Sequence, residues 1–347
     1  MTAASTFRAP WFARNPHIQT LWGKFVAPER PVDARREVWQ TPDGDEVVVL
    51  RANPEFSTAP RFVLFHGLEG TERSHYVPSL FRAVAQRGWA ADMLLWRSCG
   101  GINNRAARFY HSGETDDASW FLNRLAELYP SASLIACGVS LGGNVLTKLI
   151  GDASLPLPIT LRAAAAVSVP FDLERGSRHI SLGVTSMYER WFLRSLRVKA
   201  LEKASRYPDR FPRPERIARI RTLWEFDDLI TGPLHGFDGA TDYYTRSSAK
   251  HFVETARVPL LLLSAADDPF LPGDVLEEVR QRALANALVH TEFVQHGGHV
   301  GFVTGESPRR LRSYLSERVP DFLAQFVDTS TTAPRPAHDA QGSASAR

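Results

Sequence analysis

The run Ser133-Leu-Ile-Ala-Cys-Gly-Val-Ser140-Leu-Gly-Gly143 decides how the rest of the chain is read. Its first part, 133–139, is short and apolar, the pattern of a strand buried on both faces. From Gly142 to Ile150 the apolar spacing turns helical. Ser140 therefore falls in a tight strand-to-helix turn, with Gly138 and Gly142 two residues to either side. Such a turn strains the backbone and lets other segments approach closely, so its neighbours must be small. The helix N-terminus also leaves N–H groups beside the serine, where negative charge on a reacting oxygen can be stabilised.

Working outward, apolar runs of strand length alternate with helical patterns. Strands are expected at Glu46–Arg51, Arg61–His66, Trp89–Trp96, Ala163–Val169, Pro259–Ala265 and Val289–Val294. Helices are expected at Pro78–Arg87, Asp116–Tyr129, Asp274–Leu284 and Pro308–Phe326. This alternation predicts an α/β fold, a mainly parallel central sheet with helices on both faces. Residues 171–258 show no strand pattern but carry Trp191, Phe192, Leu196, Trp224 and Phe226 among many arginines. They read as a helical lid inserted over the carboxyl edge of a domain spanning 1–327. The tail 328–347, rich in Thr, Ala, Pro and Ser, reads as disordered.

A serine needs a base and an orienting carboxylate to act as a nucleophile. Both follow in the expected order. The strand ending at Ala265 runs into Asp267-Asp268-Pro269-Phe270-Leu271-Pro272, and the strand ending at Val294 into Gln295-His296-Gly297-Gly298-His299. An acid and a histidine thus sit just past the carboxyl ends of two strands, where sites gather in open α/β sheets. Asp268, directly before Pro269 and four residues before Pro272, is preferred as the acid, with Asp267 the alternative. His299, after two glycines, is preferred to His296 as the base. A second oxyanion donor is expected from the loop His66-Gly67-Leu68-Glu69-Gly70, which makes the amides of Leu68 and Leu141 the candidates. His66 itself reads as a loop brace.

Composition narrows the alternatives. With 44% hydrophobic and 23% charged residues among 347, the chain is neither disordered nor fibrous. Two cysteines, Cys137 in a strand and Cys99 in a loop free to be exposed, make no disulfide scaffold. No metal-ligand spacing, phosphate-binding loop or cofactor motif is present, so no metal and no cofactor are expected. No apolar run reaches membrane-spanning length and the N-terminus lacks a signal-peptide core, so a cytoplasmic location is expected. Between Arg175 and Arg221, eleven Arg and two Lys face four carboxylates, although the whole chain carries only +3. This basic lid could touch an anionic membrane; nucleic acid is not an expected partner.

Several motifs together give the chain a resemblance to the YheT-type α/β-hydrolases, a branch similar to the medium-chain fatty-acid ethyl ester synthase/esterases. They are Asn15-Pro16-His17-Ile18-Gln19-Thr20, His66-Gly67-Leu68-Glu69-Gly70, Phe109-Tyr110-His111-Ser112-Gly113, the Ser140 turn, Asp267-Asp268-Pro269-Phe270 and His296-Gly297-Gly298-His299-Val300-Gly301-Phe302. Phe226-Asp227-Asp228, Phe237-Asp238-Gly239 and Tyr243-Tyr244 also match. In one place the chain departs: it has Arg97-Ser98-Cys99 where such proteins tend to carry Arg-Gly-Cys. The resemblance implies an α/β-hydrolase fold, a triad falling on Ser140, Asp268 (or Asp267) and His299, and esterase or acyl-transfer activity on acyl esters, while the apolar and aromatic residues of the lid point to short- to medium-chain ones. Transfer of the acyl group to an alcohol, or a non-catalytic binding role on the same fold, are the alternatives.

Overall fold

The computed structural model describes residues 5–25, 32–308 and 310–327; the tail expected at 328–347 lies outside them. The central sheet has eight strands: β1 (Arg35–Gln40), β2 (Glu46–Ala52), β3 (Arg61–Phe65), β4 (Ala90–Leu95), β5 (Leu134–Val139), β6 (Leu161–Val167), β7 (Leu260–Ala265) and β8 (Val289–Val294). Their order is β1-β2-β4-β3-β5-β6-β7-β8. The strands from β3 onward are parallel, and β2 is antiparallel to both β1 and β4.

Strands β3, β4, β5 and β7 are buried at every position, which is why their sequences run largely apolar without alternation; the buried Arg61 of β3 and Asp92 of β4 pair with each other. On one face, Val63 and Phe65 pack with Phe121 and Leu125 of α3 (Thr115–Leu128) and Val145 and Leu149 of α4 (Leu141–Gly151). On the other, Phe62 and Leu64 meet helices near each end of the chain. Leu80 and Val84 come from α2 (Tyr76–Ala85), and Val319 and Phe322 from a C-terminal helix at Leu315–Leu323.

One expectation needs correction, and two elements stand where none was expected. Residues 308–326 do not form one helix: Leu311–Ser313 pairs antiparallel with Val303–Gly305 as a small hairpin, and helix begins only at Leu315. β1 went unread because it is an edge strand whose residues are mostly exposed. An N-terminal helix, α1 (Pro16–Phe25), is a further element, short but with Ile18, Leu21 and Trp22 at helical spacing.

Between β6 and β7 the described chain is helical. It contains α5 (Leu173–Ile180), α6 (Ser186–Arg206), α7 (Pro214–Arg219), α8 (Leu223–Phe226), a π-helical turn (Asp227–Thr231), α9 (Gly232–Leu234) and α10 (Gly239–Ser247). This insertion has a small core of its own, in which Leu193, Phe211, Ile217, Phe226 and Ile230 close around Phe109. After β7 come α11 (Asp274–Ala283) and, past the hairpin, α12, the C-terminal helix named above. No helix among the described residues is long and apolar enough to cross a membrane.

Candidate active site

Strand β5 ends at Val139 and α4 starts at Leu141, leaving Ser140 alone in the turn with φ +54° and ψ −120°. For a residue with a Cβ, this conformation costs roughly 1–3 kcal/mol. Its surroundings impose the glycines read from the sequence. A Cβ on Gly138 would lie 2.3 Å from the Gly142 carbonyl oxygen, and one on Gly142 would lie 2.2 Å from that of Phe65.

Ser140 is 2.9 Å from His299, Oγ to Nε2. The other ring nitrogen, Nδ1, is 2.8 Å from Asp268 Oδ2. A carboxylate can only accept, so Nδ1 carries the hydrogen and Nε2 presents its lone pair to the serine hydroxyl. Asp268 is buried, and its Oδ1 accepts the Phe270 N–H at 2.8 Å. The Phe270 ring covers the imidazole, with ring centroids 4.1 Å apart. Asp267 points elsewhere. Its Oδ1 accepts the N–H groups of Gly297 and Gly298, and its Oδ2 lies 3.2 Å from His296 Nδ1.

The N-terminal segment fixes the histidine loop, a role that sequence reading missed. Thr20 Oγ1 accepts the His299 N–H at 2.9 Å while donating to the Pro16 carbonyl. Gln19, fully buried, accepts the Val303 N–H through Oε1 and donates through Nε2 to Ala13 and Val303 carbonyls. Gly298, at φ +58°, packs so tightly on this helix that a Cβ would sit 2.5 Å from the Pro16 oxygen. The sequence signals were the block Asn15–Thr20, which stood out as a motif, and the helical spacing of Ile18, Leu21 and Trp22.

Around the serine, the N–H groups of Leu68 and Leu141 have no intramolecular acceptor among the described residues. Both residues line a cavity of about 130 Å³ with Ser140, walled by Phe109, Phe192, Leu196, Phe226 and Phe270. His66 is fully buried. Its Nδ1–H donates to the Gly67 carbonyl at 2.7 Å and its Nε2 accepts the Trp96 N–H at 3.0 Å, which braces the Leu68 loop. Burial pushes its pKa down to about 3, so the ring stays neutral. Cys99, open to exposure on the sequence reading, is buried; burial raises its thiol pKa to about 12. Ser98 takes the φ of +64° that a glycine would adopt easily, and its hydroxyl donates to Asn104 Oδ1 at 2.5 Å. The departure from Arg-Gly-Cys is thereby accommodated.

His111, Glu114 and His235 bring ligand-type atoms within 4.8 Å of one another. Those atoms are already committed. His111 Nδ1 accepts the Gly113 N–H, which leaves the hydrogen on Nε2. Both nitrogens of His235 face carbonyl oxygens, of Thr231 and Phe109. Arg108 donates to both oxygens of Glu114, at 2.7 and 2.6 Å. A metal would have to displace Arg108 from Glu114 and both carbonyls from His235, so the donor set fits a structural cluster.

The sheet order and the serine on its strand-to-helix turn define an α/β hydrolase. Residues 60–306 match the family described by the alpha/beta hydrolase fold. YheT of Escherichia coli (strain K12), which carries a provisional esterase name, is 36% identical over 91% of this chain and 92% of its own. The chain belongs to this family as a YheT-type member. Phospholipase ABHD3 of Homo sapiens is 26% identical over 89% of this chain and 76% of its own. A solved esterase of Pyrococcus furiosus superposes with a TM-score of 0.56 at 15% identity, covering 87% of this chain and 98% of that one. At that identity the likeness speaks for the fold.

Proposed function

We propose that this protein is a serine esterase acting on short- to medium-chain acyl esters through Ser140, His299 and Asp268. The observation that carries the reading is the chain of two hydrogen bonds, Ser140 to His299 to Asp268, opening onto an apolar cavity. In the first step Ser140 Oγ attacks the acyl carbonyl carbon while His299 Nε2 takes its proton. The amides of Leu68 and Leu141 receive the oxyanion; one such donor is typically worth about 10²–10³ in rate. Collapse breaks the bond to the leaving alcohol, which leaves with the proton from His299, and Ser140 keeps the acyl group. Water, or an alcohol in the transfer alternative, then gives its proton to His299 and attacks the acyl-enzyme, and collapse breaks the bond from Ser140 Oγ to the acyl carbon as His299 returns the proton to Oγ. Asp268 holds the imidazole tautomer throughout.

Residues 171–258 act as a lid in this reading, since α6 and α8 supply cavity walls. The esterase name of YheT supports an ester as substrate, and a cytoplasmic site of action belongs to the same reading. Labelling by a fluorophosphonate probe tests it: wild type labels, while Ser140→Ala and His299→Ala do not. A folded wild type that resists the probe would favour a binding role instead.

The outer face of α6 supports a second, compatible activity. Met187, Arg190, Trp191, Arg194 and Val198 recur at helical spacing and are all exposed. Apolar and cationic side chains on one face suit a peripheral contact with anionic membrane. Sedimentation with phosphatidylglycerol vesicles should be salt-sensitive and weakened in Arg190→Gln/Arg194→Gln. Equal binding to phosphatidylcholine vesicles would reject the contact.

A further inference from the structure

The loop that carries Leu68 is held by the helix that covers it. Glu69 adopts φ +54° and lines the cavity beside Leu68 and Ser140. A residue with a Cβ keeps such a conformation only where its surroundings over-determine it. The Glu69 side chain, 6% exposed, is fixed from two sides. From the body of the protein, the Tyr110 hydroxyl accepts the Glu69 N–H at 2.7 Å and donates to Oε1 at 2.9 Å. From α6, Lys199 Nζ donates to Oε1 at 2.7 Å and the Ser195 hydroxyl donates to Oε2. Ser195 and Lys199 are one turn apart, on the face of α6 that also brings Phe192 and Leu196 to the cavity.

This carboxylate is an anchor and an obstacle together. It lies one residue from an amide proposed to receive an oxyanion, in a cavity where like charges repel far more strongly than in water. Lys199 neutralises it, and Lys199 arrives only with α6. We infer that Lys199, with Ser195, is a positioning residue for the oxyanion site, acting through Glu69. The arrangement with α6 seated over the cavity is then the competent one. The inference rests on the serine-esterase reading above. It narrows the substrates to esters presented singly and small enough to lie beneath α6, as opposed to lipid aggregates that would have to lift the helix away.

The test uses the full chain, p-nitrophenyl butyrate, and an alkyl trifluoromethyl ketone that adds to the serine as a tetrahedral oxyanion. Lys199→Met should lose about 10²-fold in kcat, as on deleting one oxyanion donor. Its KM should stay within about twofold of wild type, and ketone affinity should fall in step with kcat. Lys199→Arg should keep most of the activity. Adding Glu69→Gln to Lys199→Met should recover most of the lost kcat, because no charge is then left unneutralised. Wild-type kcat and ketone affinity in Lys199→Met would overturn the inference. So would a loss that Glu69→Gln fails to relieve, or activity that jumps once the ester forms a separate phase. Should Lys199→Met not fold, Ser195→Ala is expected to lose about tenfold in kcat, and an unchanged value there would overturn it equally. Absence of fluorophosphonate labelling at Ser140 in wild type would remove the esterase reading itself. Labelling with an indifferent Lys199→Met would remove only the coupling.

Discussion

Two adjacent aspartates in one loop face two histidines in another, each joined from Oδ2 to Nδ1, yet the two pairs differ in burial and reach. Asp268 and His299 are both buried, and their imidazole reaches Ser140. Asp267 meets His296, whose side chain is 41% exposed, and spends its other oxygen on the amides of Gly297 and Gly298. One residue of register therefore separates a pair suited to moving a proton from a pair that staples two loops. Burial and reach make the difference. The Phe270 ring covers His299 and Thr20 pins its backbone, whereas the ring of His296 turns toward water.

The sharpest way to break this comparison is Asp268→Asn. An asparagine there would favour the wrong tautomer of His299, and kcat should fall by about 10⁴-fold, as in other triads of this geometry. Turnover of p-nitrophenyl butyrate measures it, with a thermal melt to show that the fold is kept. A larger loss in Asp267→Asn would exchange the roles of the two aspartates.

A third aspartate, on the cavity wall, sharpens the contrast, because it has neither imidazole nor amides. Asp227 lines the cavity and takes only the hydroxyls of Thr231 and Tyr244. Burial outweighs those two bonds and pushes its pKa from 3.8 up to about 6. A raised carboxyl pKa favours the folded state while the group is protonated. That contribution is complete below about pH 4 and is lost as pH rises through about 6, on the order of 3 kcal/mol in all. Urea denaturation between pH 4 and 7.5 should show this decline in wild type relative to Asp227→Asn. Parallel curves for the two proteins would mean that Asp227 is solvated or paired in solution.

The same physics explains what could be read without coordinates. Strands covered on both faces must be largely apolar, so β3, β5 and β7 were legible, and with them the edge where Ser140, Asp268 and His299 gather. Asp268 and Asp267 stayed close in the reading because a loop carries no periodicity to fix its register. Helix α1 shows a helical spacing in Ile18, Leu21 and Trp22, but its role does not show, because it reaches the histidine loop through Gln19 and Thr20, whose hydrogen bonds have no local sequence pattern. The hairpin of 303–305 and 311–313 has strands of three residues, too short to show alternation. The Glu69–Lys199 pair joins positions 130 residues apart in sequence, and nothing local in either segment announces the other.

The smallest expected effects fall on the stapling pair, and they separate its two halves. Asp267→Ala leaves the amides of Gly297 and Gly298 without their acceptor in a partly buried loop, a loss of about 1–3 kcal/mol of stability. His296→Ala removes only a contact of 3.2 Å from an imidazole that water already reaches. An ion pair or hydrogen bond of that exposure is worth about 0–1 kcal/mol, so the melting temperature and kcat should scarcely change. The aspartate in this pair acts mainly on the backbone, and its histidine is incidental. A loss of turnover in His296→Ala comparable to that in Asp268→Asn would mean instead that protons pass through both pairs. The two aspartates would then have to be read as one relay, and the contrast between them would be gone.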